Sequence, residues 1–159
     1  MPKLSAGLLP YRWRGEWLDV FIVHPGGPFW ASKDDGAWSI AKGEYSGGEE
    51  PLEVAMREFE EEVGQPPPTS PTTLLGEFRQ PSGKVITAFA CAADFDVDEV
   101  HSNTFTMEWP PRSGLVGEFP EVDKAEWMSL ALARQKLIAG QQPILDRLEE
   151  LVGTCEVRS

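Results

Sequence analysis

Cysteine is nearly missing from this chain of 159 residues: there are two, Cys91 and Cys155, far apart and with no C-x-x-C pair. That spacing excludes a disulfide framework and offers no zinc ribbon. Cys91, inside the apolar run AFACAAD, reads as a buried strand residue. Long apolar runs are missing as well, since none approaches the ~20 residues that a membrane-spanning helix needs. Pro10 and Arg12 interrupt MPKLSAGLLPYRWRG before a secretory-signal core develops, so the expectation is a soluble, cytoplasmic protein with no membrane partner. Positive charge is scarce: 14 lysines and arginines face 26 aspartates and glutamates, a formal net charge of -12. Electrostatic attachment to nucleic acid wants a basic face, so no nucleic-acid partner is expected. No internal repeat occurs at solenoid or propeller periods.

What is present reads as one folded domain over residues 1–159, with 41% hydrophobic and 25% charged residues, which is ordinary for a globular chain. LSAGLLPYR and EWLDVFIVHP read as strands joined by a turn at Arg14-Gly15, and AWSIAKG as a short strand. The proline-rich connector QPPPTSPT, Gln65–Thr72, cannot continue a helix and separates two halves of the domain. Beyond it, TLLGEFRQ and KVITAFACAADF form strands joined through Pro81-Ser82-Gly83. HSNTFTMEWPPRSG reads as an extended, aromatic-bearing loop or edge, KAEWMSL as a short strand, and LALARQKLI and PILDRLEELV as amphipathic helices. Strands joined partly by hairpins and interspersed with helices predict an α/β fold with helices packed on a mixed sheet.

The segment GEYSGGEEPLEVAMREFEEEVGQ concentrates acid, four glutamates falling inside Glu58–Glu62. Pro51 suits a first helical position, Gly64 the position just past the end, and Pro66 to Pro68 block extension, so a helix is predicted over 51–63. Leu52, Met56, Phe59 and Val63 share an arc of ~60° and are expected to face the sheet, while Glu58, Glu61 and Glu62 share another. Glutamate density by itself describes a solvated helix face. These three, however, occupy the C-terminal half, where the helix dipole disfavours negative charge and neighbours three or four apart repel. Convergent carboxylates placed against stability point to a hard divalent cation: magnesium, manganese or calcium.

Gly43, five residues, Glu49, seven residues, Arg57-Glu58-Phe59, one residue, Glu61-Glu62, one residue and Gly64 together resemble the Nudix box, G-x5-E-x7-R-E-U-x-E-E-x-G-U, with U a bulky aliphatic residue. Every fixed letter is present over residues 43–65; Phe59 and Gln65 depart from the two U positions. The resemblance implies a Nudix-type α/β/α sandwich with a mixed β-sheet. It also implies a Mg2+ (or Mn2+) dependent pyrophosphohydrolase that cleaves a phosphoanhydride in a nucleoside diphosphate linked to another moiety. Its small-molecule substrate would be a nucleoside triphosphate, a dinucleoside polyphosphate or a nucleotide sugar. Carried over, Glu58, Glu61 and Glu62 would hold metal with the backbone carbonyl of Gly43. Arg57 would pair with Glu49 and tie the loop to the helix. A further glutamate beyond the box would be Glu118 or Glu121, and spacing from Trp127 favours Glu121. Which carboxylate acts as general base stays open.

On the substrate side, HPGGPFW lies in a loop on the approach to the box, and Trp30 and Trp109 are candidates to stack on a base. His24 reads as a strand-end residue rather than a catalyst. Two rival functions share the fold: a nucleotide sensor without catalysis, against which the intact glutamates speak, and an isoprenyl-diphosphate isomerase, which would want a reactive cysteine. DFDVDE, Asp94–Glu99, opens like a calcium loop but lacks its sixth-position glycine, and SGKV lacks the rest of a P-loop.

Overall fold

The computed structural model describes residues 3–96 and 100–153. Cys155, and residues 97–99 of the acidic run Asp94–Glu99, lie outside the described residues. In chain order the elements are β1 (Leu4–Arg14), β2 (Trp17–Pro25), β3 (Ala41–Tyr45), α1 (Pro51–Val63), β4 (Thr72–Arg79) and β5 (Val85–Ala92). There follow β6 (Thr104–Glu108), β7 (Val116–Pro120), β8 (Val122–Ser129), α2 (Leu130–Lys136), a 3-10 turn (Ala139–Gln141) and α3 (Gln142–Val152).

β1 is the spine of the sheet, whose order is β4-β5-β1-β2-β8. Along one edge β1 runs parallel to β5. Along the other, Leu4–Leu8 pair antiparallel with β3 and Tyr11–Arg14 with β2. The sheet is therefore mixed. Its central strands are apolar almost throughout because both faces are covered, which removes the alternation of a half-exposed strand. Ala6, Leu8, Phe21 and Val23 pack with α1 on one face. Leu9, Val20 and Ile22 pack with Ile144, Leu145 and Leu148 of α3 on the other. This is the expected α/β/α sandwich. Among the described residues no helix is long and apolar enough to cross a membrane.

Two details differ from the sequence expectation. HSNTFTMEWPPRSG supplies a true strand, β6, which pairs with β7 in a two-stranded hairpin separate from the main sheet. In α1 the buried residues are Val54, Ala55, Phe59 and Val63, whereas Leu52 and Met56 are only half-buried. The reason is that α1 rests on β3 as well as on β1. Burial therefore spreads to the side of the helix that also carries Glu58 and Glu62, and the acidic arc does not face open solvent.

Candidate functional site

Pro51 opens α1, since its missing N–H costs nothing in the first turn, and Gly64 closes it in the left-handed conformation, φ 85°, with its N–H on the Glu60 carbonyl at 2.8 Å. The last turn contains no basic residue. Backbone from further along the chain completes it instead: His101 N–H donates to Val63 O at 3.2 Å and Asn103 N–H to Glu61 O at 2.8 Å. The Asn103 carbonyl in turn accepts from the Glu121 N–H at 2.8 Å, and the Glu121 carbonyl from Gly26 N–H at 2.9 Å. Asn103 thus ties Glu121 to the acidic end of α1, and Glu121's own carbonyl ties it to the loop after β2. Glu118 instead lies out on β7, its carboxylate accepting from the Thr104 hydroxyl at 3.1 Å.

The Glu58 carboxylate lies against Gly43, where a Cβ would stand 1.8 Å from Oε1, so only glycine leaves it room. Gly43→Ala is therefore expected to displace Glu58, whose flexible end is all that the added Cβ would meet, with little loss of stability and a clear loss of turnover; urea unfolding beside an activity assay measures both, and turnover near wild type would mean that Glu58 does not need its place against Gly43. Removal from water, a hydrogen bond shared with Glu61 and the Glu61 charge push Glu58 up to about 7. Glu62 is half-buried and accepts from the Lys42 N–H at 3.3 Å; its burial pushes it up to about 8, against the opposing pull of Lys42. Glu121, largely exposed but set against the cleft wall, is raised by loss of water and then by the Glu61 charge. Lys42 is lowered, mainly by its own burial.

Four mutually repelling carboxylates thus share one end of α1. Glu58, Glu62 and Glu121 are held above the ordinary carboxylate range, first by loss of water and further by neighbouring carboxylates. Hard oxygen donors of this kind fit Mg2+ or Mn2+. Among the described residues no three acidic, histidine or cysteine side chains close on a common point, so a cation would have to draw these together. Beside them Arg57 Nη1 donates to Glu49 Oε2 at 3.0 Å, and its Nε lies 3.6 Å from Glu58 Oε2. The other Glu49 oxygen accepts from Ser46 N–H at 3.2 Å. Glu49 accordingly fastens the loop between β3 and α1 to the helix.

Two adjoining cavities open beside the carboxylates. The outer, of about 350 Å3, lies between Phe29, Trp30, Phe105 and Met107 and reaches Glu121. The inner, of about 200 Å3, reaches Lys42, Glu62 and Glu121. Pro25, Trp30 and Glu121 border both. Trp30 therefore stands in the cleft, whereas Trp109, near the turn of the β6–β7 hairpin, lines neither cavity.

His24, buried in β2, is an anchor rather than a cleft residue. Its Nε2 lies 2.6 Å from the Lys33 carbonyl and its Nδ1 2.8 Å from an Asp123 carboxylate oxygen, which pins the loop after β2 to β8. Sequence reasoning singled out neither Lys42, Lys33 nor Asn103. Lys42 directly precedes the first glycine of the motif and could have been weighed for that reason. Asn103 acts through its backbone, which no side-chain pattern reveals.

The chain matches the family description "NUDIX domain" over residues 1–148. An RNA pyrophosphohydrolase of Rhodospirillum rubrum is 34% identical over 79 residues, covering 48% of this chain and 44% of that protein. Over that match, the chain spans less than half the length of this relative. An RNA pyrophosphohydrolase of Brucella anthropi is 26% identical over 168 aligned positions, covering 88% of each. Among solved structures, the NUDIX domain of Shewanella oneidensis NrtR complexed with ADP ribose superposes with a TM-score of 0.65 at 15% identity, over 96% of this chain and 90% of that one.

Proposed function

The chain belongs to the Nudix hydrolase family, and from that premise we propose that it is a metal-dependent pyrophosphohydrolase cleaving a phosphoanhydride of a nucleoside diphosphate linked to a further group. The observation that carries this reading is the set of Glu58, Glu61, Glu62 and Glu121 at one end of α1, of which Glu58, Glu62 and Glu121 have raised carboxyl groups and Glu62 and Glu121 line the inner cavity. Glu58, Glu61 and Glu62, with the Gly43 carbonyl and Glu121, would hold Mg2+ or Mn2+. When bound, such ions neutralise phosphate oxygens, orient them and acidify the attacking water. The chain's own residues supply the rest. Gly43 leaves room for Glu58, the Lys42 N–H orients Glu62, and the Asn103 backbone fixes Glu121 relative to α1. The raised values of Glu58 and Glu62 belong to the metal-free protein, and a bound cation would favour their ionised form.

Arg57 and Glu49 are positioning residues under this reading. Both are substantially exposed, 47% and 39%, so the pair contributes little to stability. Its effect should appear in turnover instead. Glu49→Gln, Arg57→Ala and the double variant are expected to lose activity non-additively, by roughly 10–100-fold for either single and little more for the double. Full additivity in the double variant would show that the two act separately.

The substrate is a small nucleotide under this reading, favoured by the net charge of -12. The named activity of the two relatives supports a second reading, removal of pyrophosphate from RNA 5′ ends. An isoprenyl isomerase is disfavoured: Cys91 is 1% exposed and its burial pushes the thiol up to about 11, which leaves it inert. The test is a panel of nucleoside triphosphates, dinucleoside polyphosphates, nucleotide sugars and a 5′-triphosphorylated RNA, assayed with magnesium and with manganese. Turnover of a small nucleotide supports the first reading, and turnover of the RNA alone the second. Tight binding without turnover would replace both with a sensor.

A further inference from the structure

We propose that a third cavity, at the opposite end of β2 from the carboxylates, is a docking site for a partner protein, which inserts an arginine side chain against the Trp17 indole and the carboxylates of Glu16 and Glu149. This surface takes no part in the catalytic reading. β2 borders the inner and outer cavities at Pro25 and this one at Trp17 and Leu18. A nine-residue strand, roughly 25–30 Å from end to end, separates them.

The cavity, of about 430 Å3, lies between the β1–β2 turn, the start of α2 and the end of α3. Its inner wall is apolar because Trp13 and Leu18, paired across β1 and β2, both pack on the core beneath α3. Trp17, which also borders it, is 69% exposed. An indole left in water forgoes a large apolar gain, and tryptophan is enriched where partner proteins anchor. A small ligand seated in the cavity would cover only the part of Trp17 turned toward it. A protein segment lying across the mouth would cover the rest.

Charge around the cavity selects the partner. Arg134, the lining cation, is committed to the wall: Nη1 donates to Asp146 at 2.8 Å and Nη2 to Glu149 at 3.1 Å. The arginines of the neighbouring hairpin, Arg12 and Arg14, turn to the buried Asp19 instead. Glu16 lines the cavity and, among the described residues, has no partner, while Glu149 gives Arg134 only its Oε1. α3 adds to the acid: its last turn has no basic residue, and Gly153, just past its end, borders the cavity where the helix dipole favours a cation. A second copy of this chain would bring the same acidic rim and the same net charge of -12, so a symmetric dimer is disfavoured here. A guanidinium suits the site better than an ammonium, since its face can stack on the indole while its edge donates to a carboxylate.

The test is an NMR titration of the isotope-labelled full chain, with magnesium present, against a capped tripeptide carrying arginine between two leucines. Its comparators are the same peptide with citrulline, the uncharged isostere, the same peptide with lysine, and free butylguanidine. The Trp17 indole signal, identified by its loss in Trp17→Phe, should shift with the arginine peptide while that of Trp30 stays in place. The citrulline peptide and butylguanidine should bind at least ~10-fold more weakly and the lysine peptide about threefold more weakly. Trp17→Ala should weaken the arginine peptide ~10-fold and Glu16→Gln about threefold. Glu53→Gln, the same loss of charge on an exposed part of α1, should leave it unchanged. Equal binding of the citrulline or the lysine peptide, butylguanidine as tight as the arginine peptide, or no shift at millimolar peptide would each overturn the proposal. So would shifts confined to the Glu58–Glu62 end, equal weakening in Glu53→Gln, or a dimer in sedimentation that Trp17→Ala dissolves.

Discussion

Glu62→Gln is expected to lower kcat on the order of 10³-fold, the scale on which lost electrostatic stabilisation of a transition state is felt, while the protein stays folded. The amide oxygen of glutamine can still accept the Lys42 N–H that Glu62 Oε1 now takes at 3.3 Å, so the local geometry survives. What disappears is the negative charge that Glu62 would present to a bound cation at the inner cavity. Calorimetric titration of magnesium should show weakened affinity in the same variant. Glu53→Gln provides the control: Glu53 lies in the first turn of α1 and is exposed, so the same chemical change there should leave activity and metal affinity near wild type. Activity of Glu62→Gln within a few-fold of wild type would remove Glu62 from the site.

Much of this arrangement was legible before any coordinates, and its legible parts are those fixed by local rules. Pro51 and Gly64 bound α1 because each suits one helix end for backbone reasons alone, and the structure places the helix at Pro51–Val63. The spacing of Glu58, Glu61 and Glu62 needed only helical periodicity. Burial of α1 was misjudged because a wheel of apolar positions describes a helix lying on one flat surface, and α1 lies on β3 as well as β1. Half-burial of Leu52 and Met56, with Val54 and Ala55 inside, follows from that second surface. The β6–β7 hairpin escaped recognition for a different reason. Its strands have only five residues each and are separated by residues 109–115, which begin Trp109-Pro110-Pro111, so alternation is too short to stand out. Trp30 and Trp109 looked equivalent as isolated tryptophans; only the long-range approach of the hairpin to Gly27 gives Trp30 a cleft and leaves Trp109 at its far end.

In chelator, stability of the metal-free protein is expected to fall as pH rises from about 5 to 9, the opposite of the usual behaviour of paired carboxylates. The sign follows from the direction of the shifts. Glu58 and Glu62 stand at about 7 and about 8 in the folded chain against an ordinary 4.5, so between those limits the folded state binds protons that the unfolded state has released. Their stabilising contribution is complete below the ordinary carboxylate value and is lost as pH passes through 7 to 8. Discounted for partial exposure, the loss is on the order of 2 kcal/mol, or ~4–8 °C in Tm. Glu61→Gln should flatten this profile, because an amide N–H can donate to Glu58 where the glutamate needs a proton to do so. At pH 8 in chelator this variant should therefore melt at or above the wild-type temperature, although its turnover is impaired. Magnesium should raise the wild-type midpoint more than the variant's, since a ligand bound only by the folded state stabilises it according to its affinity. A solvated acidic face would give a flat profile between pH 5 and 9, little gain from magnesium and no benefit from glutamine. Melting of Glu61→Gln well below wild type at pH 8 would show that this glutamate supports the metal-free fold and that the charge at the end of α1 carries no strain.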